Sequence, residues 1–328
     1  MKRQTPLSSC GRTTQKSCGI IFGCLVVLTA GLYGANTAYA ETTPAAEENK
    51  RVLIIGKVSD NPKKHYAYLK AMADYVVAKM QGFGITESKV LLAKDNAQMV
   101  RYLQQDEVDW ITETPASAII FREQAGAEII LRKWKRDVPE YRTVFFARKE
   151  SGIKQVSDLV GKTIAFEDPG STTAFFLPAA VLLEAGLTLT KLSSPRETAP
   201  ASAIGYMFSG EEINTSTWVH KGLVDAGAFS NLNWDKEDNM PVAFRQEIEI
   251  FHETRPYPRA LELVNKNLPQ NIKARLTEIL LNAENDAAGR EAMHQYQHTK
   301  RFDELSAESL EALRELYHRT QLVQTRLQ

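Results

Sequence analysis

Three consecutive hydroxyl residues, Ser171, Thr172 and Thr173, follow Asp168-Pro169-Gly170 and lead into Ala174-Phe175-Phe176-Leu177-Pro178. The preceding Ile164-Ala165-Phe166 has strand composition, so the segment reads as a strand, a Pro-Gly turn and a helix start. The first turn of a helix holds backbone N–H groups without intrahelical partners, at the positive end of the helix dipole. Hydroxyl donors beside those amides form a site for a tetrahedral oxyanion that needs no cationic side chain. The same residues also suit a plain helix cap, which takes only one hydroxyl oxygen.

Other chemistry finds little support. Gly161-Lys162-Thr163 has the ending of a phosphate-binding loop, but Val156 stands where the leading glycine belongs, and the segment precedes a strand instead of following one. No G-x-G-x-x-G, G-x-S-x-G or H-E-x-x-H pattern is present. The six histidines are scattered, and His294 and His298, spaced i and i+4, have no carboxylate placed as a metalloprotease requires. Cys10, Cys18 and Cys24 are the only cysteines and all lie near the N-terminus. Neither a metal nor a cofactor is implied.

The elements that must position the hydroxyl loop follow from periodicity. Val52-Leu53-Ile54-Ile55 is continuously apolar, as in a strand covered on both faces. Tyr66, Leu69, Ala73, Val76 and Met80 then recur at three- and four-residue steps, a helical face. Further strands are expected at Val90–Ala93, Val108–Ile111, Ile129–Leu131 and Thr143–Ala147, with Asp95 capping a helix through Leu103 and another helix after Thr114-Pro115. A second series has strands at Thr163–Phe166, Leu223–Ala228 and Ile248–Phe251, and from Asn271 onward the chain is charged and helical. Strands alternating with helices argue for an α/β fold on mostly parallel sheets.

Composition bounds the rest. The chain has 328 residues, 40 Lys and Arg against 40 Asp and Glu, and 43% hydrophobic residues, the profile of a folded protein. Lys2, Arg3, Arg12 and Lys16 precede a nearly uncharged apolar stretch, Gly19–Ala35, and then Ala38-Tyr39-Ala40, the order of a secretory signal with an A-x-A cleavage site. Without residues 1–40 the chain keeps 36 basic and 40 acidic groups, a net charge of −4 that argues against nucleic acid as a partner. A chain of this length exceeds what one core usually organises, so two lobes are expected.

Tyr141–Ala147, Ser151-Gly152-Ile153, Asp158–Lys162 and the Asp168–Thr172 run resemble, in that order, the solute-binding subunits of phosphate, phosphite and phosphonate ABC importers. Gly222, Val224, Asp225 and Ala226 fit as well, and the resemblance extends loosely from Val52 to about Leu281. It implies a two-lobed periplasmic-binding-protein fold with the ligand in a cleft between lobes, C-terminal helices and closure by hinge motion. The implied organisation is a signal peptide over 1–40, a flexible lead over 41–51, a first lobe from 52–147 plus 252–328, and a second lobe over 148–251. Thr143–Ala147 and Ile248–Phe251 are the expected crossovers.

Ser171, Thr172 and Thr173 match the family's oxyanion loop. In the first lobe, Glu113-Thr114-Pro115-Ala116-Ser117-Ala118 matches a ligand loop, with Thr114 for a frequent glycine and Ala118 for a frequent tyrosine, and Asn214 stands near the place of a common second-lobe histidine. Glu113, Thr114, Ser117, Asp168, Asn214 and Asp225 complete the candidate site. A carboxylate at Glu113 or Asp168 would accept a proton from a protonated phosphate or phosphonate; Glu113 would alternatively bind a ligand ammonium or be a solvated loop acid. The implied function is capture of a small oxyanion, without catalysis, by a monomeric periplasmic protein that serves an ABC permease. The alternative is the same fold acting as a sensor for a membrane kinase or receptor, with an enzyme on this scaffold as the third reading.

Export generates a direct prediction: cleavage after Ala40 leaves a chain beginning at Glu41. Mass spectrometry of the periplasmic fraction checks it, and an intact N-terminus recovered only from membranes contradicts it.

Overall fold

The computed structural model describes residues 51–59 and 61–327; the expected signal peptide, its cleavage site and the lead through residue 50 lie outside the described residues. The strands are β1 (Arg51–Val58), β2 (Ile85–Ala93), β3 (Trp110–Glu113), β4 (Glu128–Lys135), β5 (Glu140–Tyr141), β6 (Thr143–Arg148) and β7 (Thr163–Phe166), continuing with β8 (Leu189–Lys191), β9 (Ile204–Phe208), β10 (Ala226–Ser230), β11 (Ile248–Glu253), β12 (Tyr257–Pro258), β13 (Leu261–Val264) and β14 (Thr299–Asp303). The helices that matter below are α1 (Pro62–Ala78), α2 (Asn96–Gln104), α3 (Pro115–Ala125), α4 (Leu177–Glu184) and α5 (Glu212–His220), with α6 (Asn231–Trp234), α7 (Val242–Glu247), α8 (Gln270–Leu281), α9 (Ala287–Gln295) and α10 (Ala307–Leu327) after them.

Two six-stranded sheets result, ordered β14-β4-β13-β3-β1-β2 and β11-β6-β10-β7-β9-β8. Each has a parallel half, as the strand–helix alternation implies: β2-β1-β3 in the first and β8-β9-β7-β10 in the second. Each also has an antiparallel half, β3-β13-β4-β14 and β10-β6-β11, supplied mainly by strands that return after a long excursion. On β1, Leu53 and Ile55 pack in a core with α1, α8 and α9, while Ile54 packs on the opposite core, so both faces are covered. Asn61 accepts from the Lys64 amide to start α1, and Asp95 accepts from the Gln98 amide at 2.7 Å to start α2.

The sheets are joined by a two-stranded connection, β5 against β12, with Tyr141 opposite Tyr257. This corrects the expected crossovers. Thr143–Ala147 lies in β6, between β10 and β11 in the second sheet, and Ile248–Phe251 lies in β11 on its edge. The physical reason is pairing: Thr143–Ala147 is hydrogen-bonded on both sides, to β10 and to β11, which fixes it inside the second sheet and leaves the shorter β5–β12 pair to span the lobes. The chain therefore passes between sheets near residues 140–142 and 254–260.

Helix α10 packs against both α3 and α4. Arg319 forks onto both Glu184 carboxylate oxygens of α4, and its remaining nitrogen donates to the Tyr257 hydroxyl at 2.6 Å. Tyr317 meets the Arg122 guanidinium of α3 over its ring. The last helix thus grips one helix from each lobe and the strand that connects them.

Beneath the first sheet lies a charged core. Lys133 donates to Thr112 at 2.6 Å and to Gln297 at 3.1 Å, stands 3.5 Å from Glu262, and sits over the Tyr296 ring. Glu262 accepts from Trp110 at 2.6 Å and from Tyr296 at 3.2 Å. Both charged groups are fully buried. Breaking a buried pair costs more than the pair itself contributes, because the survivor is left uncompensated. Lys133→Met is therefore expected to destabilise the fold by about 3–5 kcal/mol. Combining it with Glu262→Gln, which keeps an acceptor for Trp110 and Tyr296, should recover a large part of the loss. Urea unfolding of both variants checks this, and a single variant as stable as the parent contradicts it.

Candidate functional site

A cleft of about 980 Å³ opens between the two sheets. Its walls are the carboxyl ends of parallel strands and the helix starts that follow them, the usual ligand position in open α/β sheets. One wall carries Lys57 and Val58 at the end of β1, Glu113 and Thr114 at the end of β3, Ser117 on α3, and Lys135 on β4. The other carries Glu167 to Ser171 after β7, Thr173, Gly210 after β9, Glu212 on α5 and Ser230 at the end of β10. Tyr141 and Arg259, flanking the connection between lobes, line it as well.

The hydroxyl loop divides its labour. Ser171 accepts from the Ala174 amide at 3.2 Å, a helix cap, and lines the cleft with Thr173. The helix opens as a π turn over Thr172–Phe176, with the Phe176 amide donating to the Ser171 carbonyl at 3.0 Å. Pro178 explains the wider turn, since it has no N–H to give and its ring crowds a carbonyl four residues back. Thr172 is buried, and its hydroxyl crosses to the other lobe, accepting from the Ala116 amide at 3.0 Å. Thr114, the residue at the cap position of α3, makes no side-chain cap bond, so Thr172 supplies the acceptor that α3 lacks.

The remaining candidates separate in the same way. Both Glu113 oxygens are engaged: one accepts from the Val58 amide at 2.7 Å and from Lys57 at 3.1 Å, the other from its neighbour's amide at 3.0 Å. Glu113 therefore holds the β1 and β3 ends together while it faces the cleft. Asp168 folds its own turn by accepting from Gly170 at 2.7 Å, and its side chain also borders the cleft. Asn214 and Asp225 are not among the cleft residues. Asn214 donates to the Ser209 carbonyl, and Asp225 accepts from the amide and the hydroxyl of Thr163, tying the start of β7 to β10. Their polar groups are spent on the backbone, which is the physical reason to set them apart from the ligand site.

Cationic groups, absent from the expected site, gather on the first wall. Lys133 and Lys135 share a face of β4, being two residues apart. On the alternate face Arg132 is neutralised by Asp303 at 2.7 Å and Glu140 at 3.0 Å, but Lys135, Arg136 and Arg259 have no ion pair among the described residues. Arg259 donates instead to the Lys135 carbonyl. Burial first, then Lys57, Lys133, Arg259 and Arg136, pushes the Lys135 amine well below its ordinary range. Burial lowers Lys133 to about 8, against the opposing pull of Glu262. Beside this cluster the Tyr141 hydroxyl is buried without a completed hydrogen bond, and burial raises it above its ordinary range. A set of crowded cations and one spare hydroxyl is suited to an anion. The signal was available in Leu131-Arg132-Lys133-Trp134-Lys135, had β4 been extended past Leu131.

A family model described as ABC transporter, phosphonate, periplasmic substrate-binding protein matches residues 55–310. The structure of XAC2383 from Xanthomonas citri bound to ATP is 34% identical, with a TM-score of 0.80, covering 84% of this chain and 99% of that one. PhnD1 from Prochlorococcus marinus, in complex with methylphosphonate, shares the fold at 17% identity and a TM-score of 0.58, covering 84% and 100%. The curated phosphate-import protein PhnD of Mycolicibacterium smegmatis is 24% identical over 214 residues, and the match spans 64% of each chain. The chain belongs to the phosphonate-binding family of periplasmic substrate-binding proteins of ABC transporters.

Proposed function

We propose that this chain is an exported, monomeric binding protein that captures a multiply charged phosphorylated anion in its cleft and delivers it to an ABC permease. The observation that carries the reading is the unpaired cluster of Lys135, Arg136 and Arg259 beside Lys57 and the Tyr141 hydroxyl. One small oxyanion would leave much of that charge uncompensated. A cleft of about 980 Å³ also offers more room than a methylphosphonate fills. An organic polyphosphate answers both points, and the ATP held by the Xanthomonas citri relative is a ligand of that kind. Recognition would combine charge from the first wall with neutral donors from Ser171, Thr173 and Tyr141. The protein acts by holding and releasing its ligand, so ATP incubated with it should be recovered intact.

A calorimetric and thermal-shift panel of ATP, pyrophosphate, phosphate, phosphite, methylphosphonate and an alkyl sulfonate tests the reading. ATP or pyrophosphate should bind most tightly, with affinity falling as salt rises. At 100 times its Kd the ligand should stabilise the protein by about 2.7 kcal/mol. Tighter binding of methylphosphonate or phosphate would overturn the polyphosphate assignment.

Two variants separate charge from scaffold. Lys135→Met should weaken polyphosphate binding roughly tenfold to a hundredfold, the loss of one hydrogen bond to a charged group. It should also raise the melting temperature of the ligand-free protein, because it removes a cation crowded by cations. Thr172→Val should do the reverse, costing about 1 kcal/mol of stability through the lost cap on α3, with a smaller effect on affinity. Equal behaviour of the two variants in both measurements would sink this division of roles.

A further inference from the structure

Two carboxyl groups stand on the wall opposite the cations. Glu167 follows β7 and Glu212 opens α5, and both border the cleft. The turn that leads into α5 is tied to the β7 loop where the Gly210 amide, two residues before Glu212, donates to the Glu167 carbonyl at 2.9 Å. Glu212 lies in the first turn of α5, a favourable place for a carboxylate. Neither group has a cationic partner among the described residues, although cations line the other wall. The groups facing Glu167 are Glu212, Asp168 in its own loop, Ser171 at the helix cap and Tyr141 from β5. Two adjacent carboxylates and a phosphorylated anion in one cleft would repel one another unless one of them keeps a proton.

We propose that Glu167 and Glu212 hold one proton between them at neutral pH, and that Glu167 donates it in a hydrogen bond to an oxygen of the bound anion. This rests on the capture reading above. A neutral carboxyl is a strong donor to an oxyanion, where an ionised one is only an acceptor. The proton stays on Glu167 and passes to no ligand atom, so the step is binding alone. Burial, then the charges of Glu212 and Asp168, pushes Glu167 up to about 8, which agrees with this arrangement. A bound anion raises Glu167 further, so capture above about pH 8 takes up a proton and weakens as pH rises.

Lys133, lowered to about 8, loses charge in the same range, and the Lys135 amine is also lowered, so affinity alone does not isolate the carboxyl pair. Carbon-13 spectroscopy of the full chain labelled at glutamate side-chain carboxyls does. Signals are assigned by their loss in Glu167→Gln and Glu212→Gln, and ATP is the probe, because its phosphates, with a last pKa of about 6, keep constant charge above neutral pH. In the ligand-free protein Glu167 should titrate near 8. ATP should move that midpoint upward, and Glu212→Gln should move it downward. A Glu167 that titrates near the ordinary value of about 4.3 overturns the shared proton. A midpoint lowered by bound ATP overturns the donor role. Absence of any ATP binding heat defeats the capture reading and the donor role together, while the ligand-free titration still decides whether the pair holds its proton.

Discussion

Repulsion among like charges is the constraint around which this cleft is organised. Lys135 is surrounded by Lys57, Lys133, Arg136 and Arg259. Unit charges a few ångströms apart interact by several kcal/mol where protein replaces water. The chain holds them there by strand geometry: Lys57 ends β1, Lys133 and Lys135 share one face of β4, and Arg259 sits just past β12. Lys133 is relieved from below by Glu262, Thr112 and Gln297, which fixes the wall that carries the rest. Arg132, on the alternate face of the same strand, is neutralised by Asp303 and Glu140. Lys135, Arg136 and Arg259 are left without such a partner among the described residues. Such sites are retained at the expense of stability in the free protein.

The opposing wall is shaped by helix ends. The loop after β7 presents Ser171 and Thr173 to the cleft and sends Thr172 across to cap α3. One hydroxyl therefore ties the lobes at the same point where its neighbours line the cleft. Helix α10 adds a second tie through Arg319, Glu184 and Tyr257, next to the strand pair that joins the sheets. The contact at Thr172 is a single neutral hydrogen bond, worth on the order of 1 kcal/mol, whereas the Arg319 fork is charged and bidentate.

Much of this was legible in the sequence wherever local chemistry decides. Asp95 caps α2, Thr163–Phe166 is a strand, and the loop beyond it starts a helix, each from residue types at fixed offsets. What escaped was set by distant partners. Leu261–Val264 is a central strand of only four residues with a glutamate inside, and Glu262 is tolerated there because Lys133, Trp110 and Tyr296 meet it from elsewhere in the chain. Thr299–Asp303 is an edge strand with one large apolar residue, Phe302, too little alternation to announce itself. Asp225 and Asn214 carry the right chemistry for a site but spend it on Thr163 and Ser209, a choice that only the register of β7, β9 and β10 makes. The cationic wall was hidden for the related reason that its members come from strands far apart in sequence.

Charge at two scales then reconciles the composition with the cleft. Beyond residue 40 the chain carries a net charge of −4, which disfavours polyanions that approach over a broad surface. The cleft walls reverse that sign, with eight Lys and Arg side chains against five Asp and Glu. Salt screens exposed charges beyond about 8 Å, so a long polyanion on the outer surface gains little from cations held inside. A small anion that enters meets them at short range, with protein in place of solvent. If Glu167 enters that encounter protonated, the excess of positive charge grows by one. Under the capture reading, selection by size would follow from placing the positive groups inside a cleft of a chain whose net charge is negative.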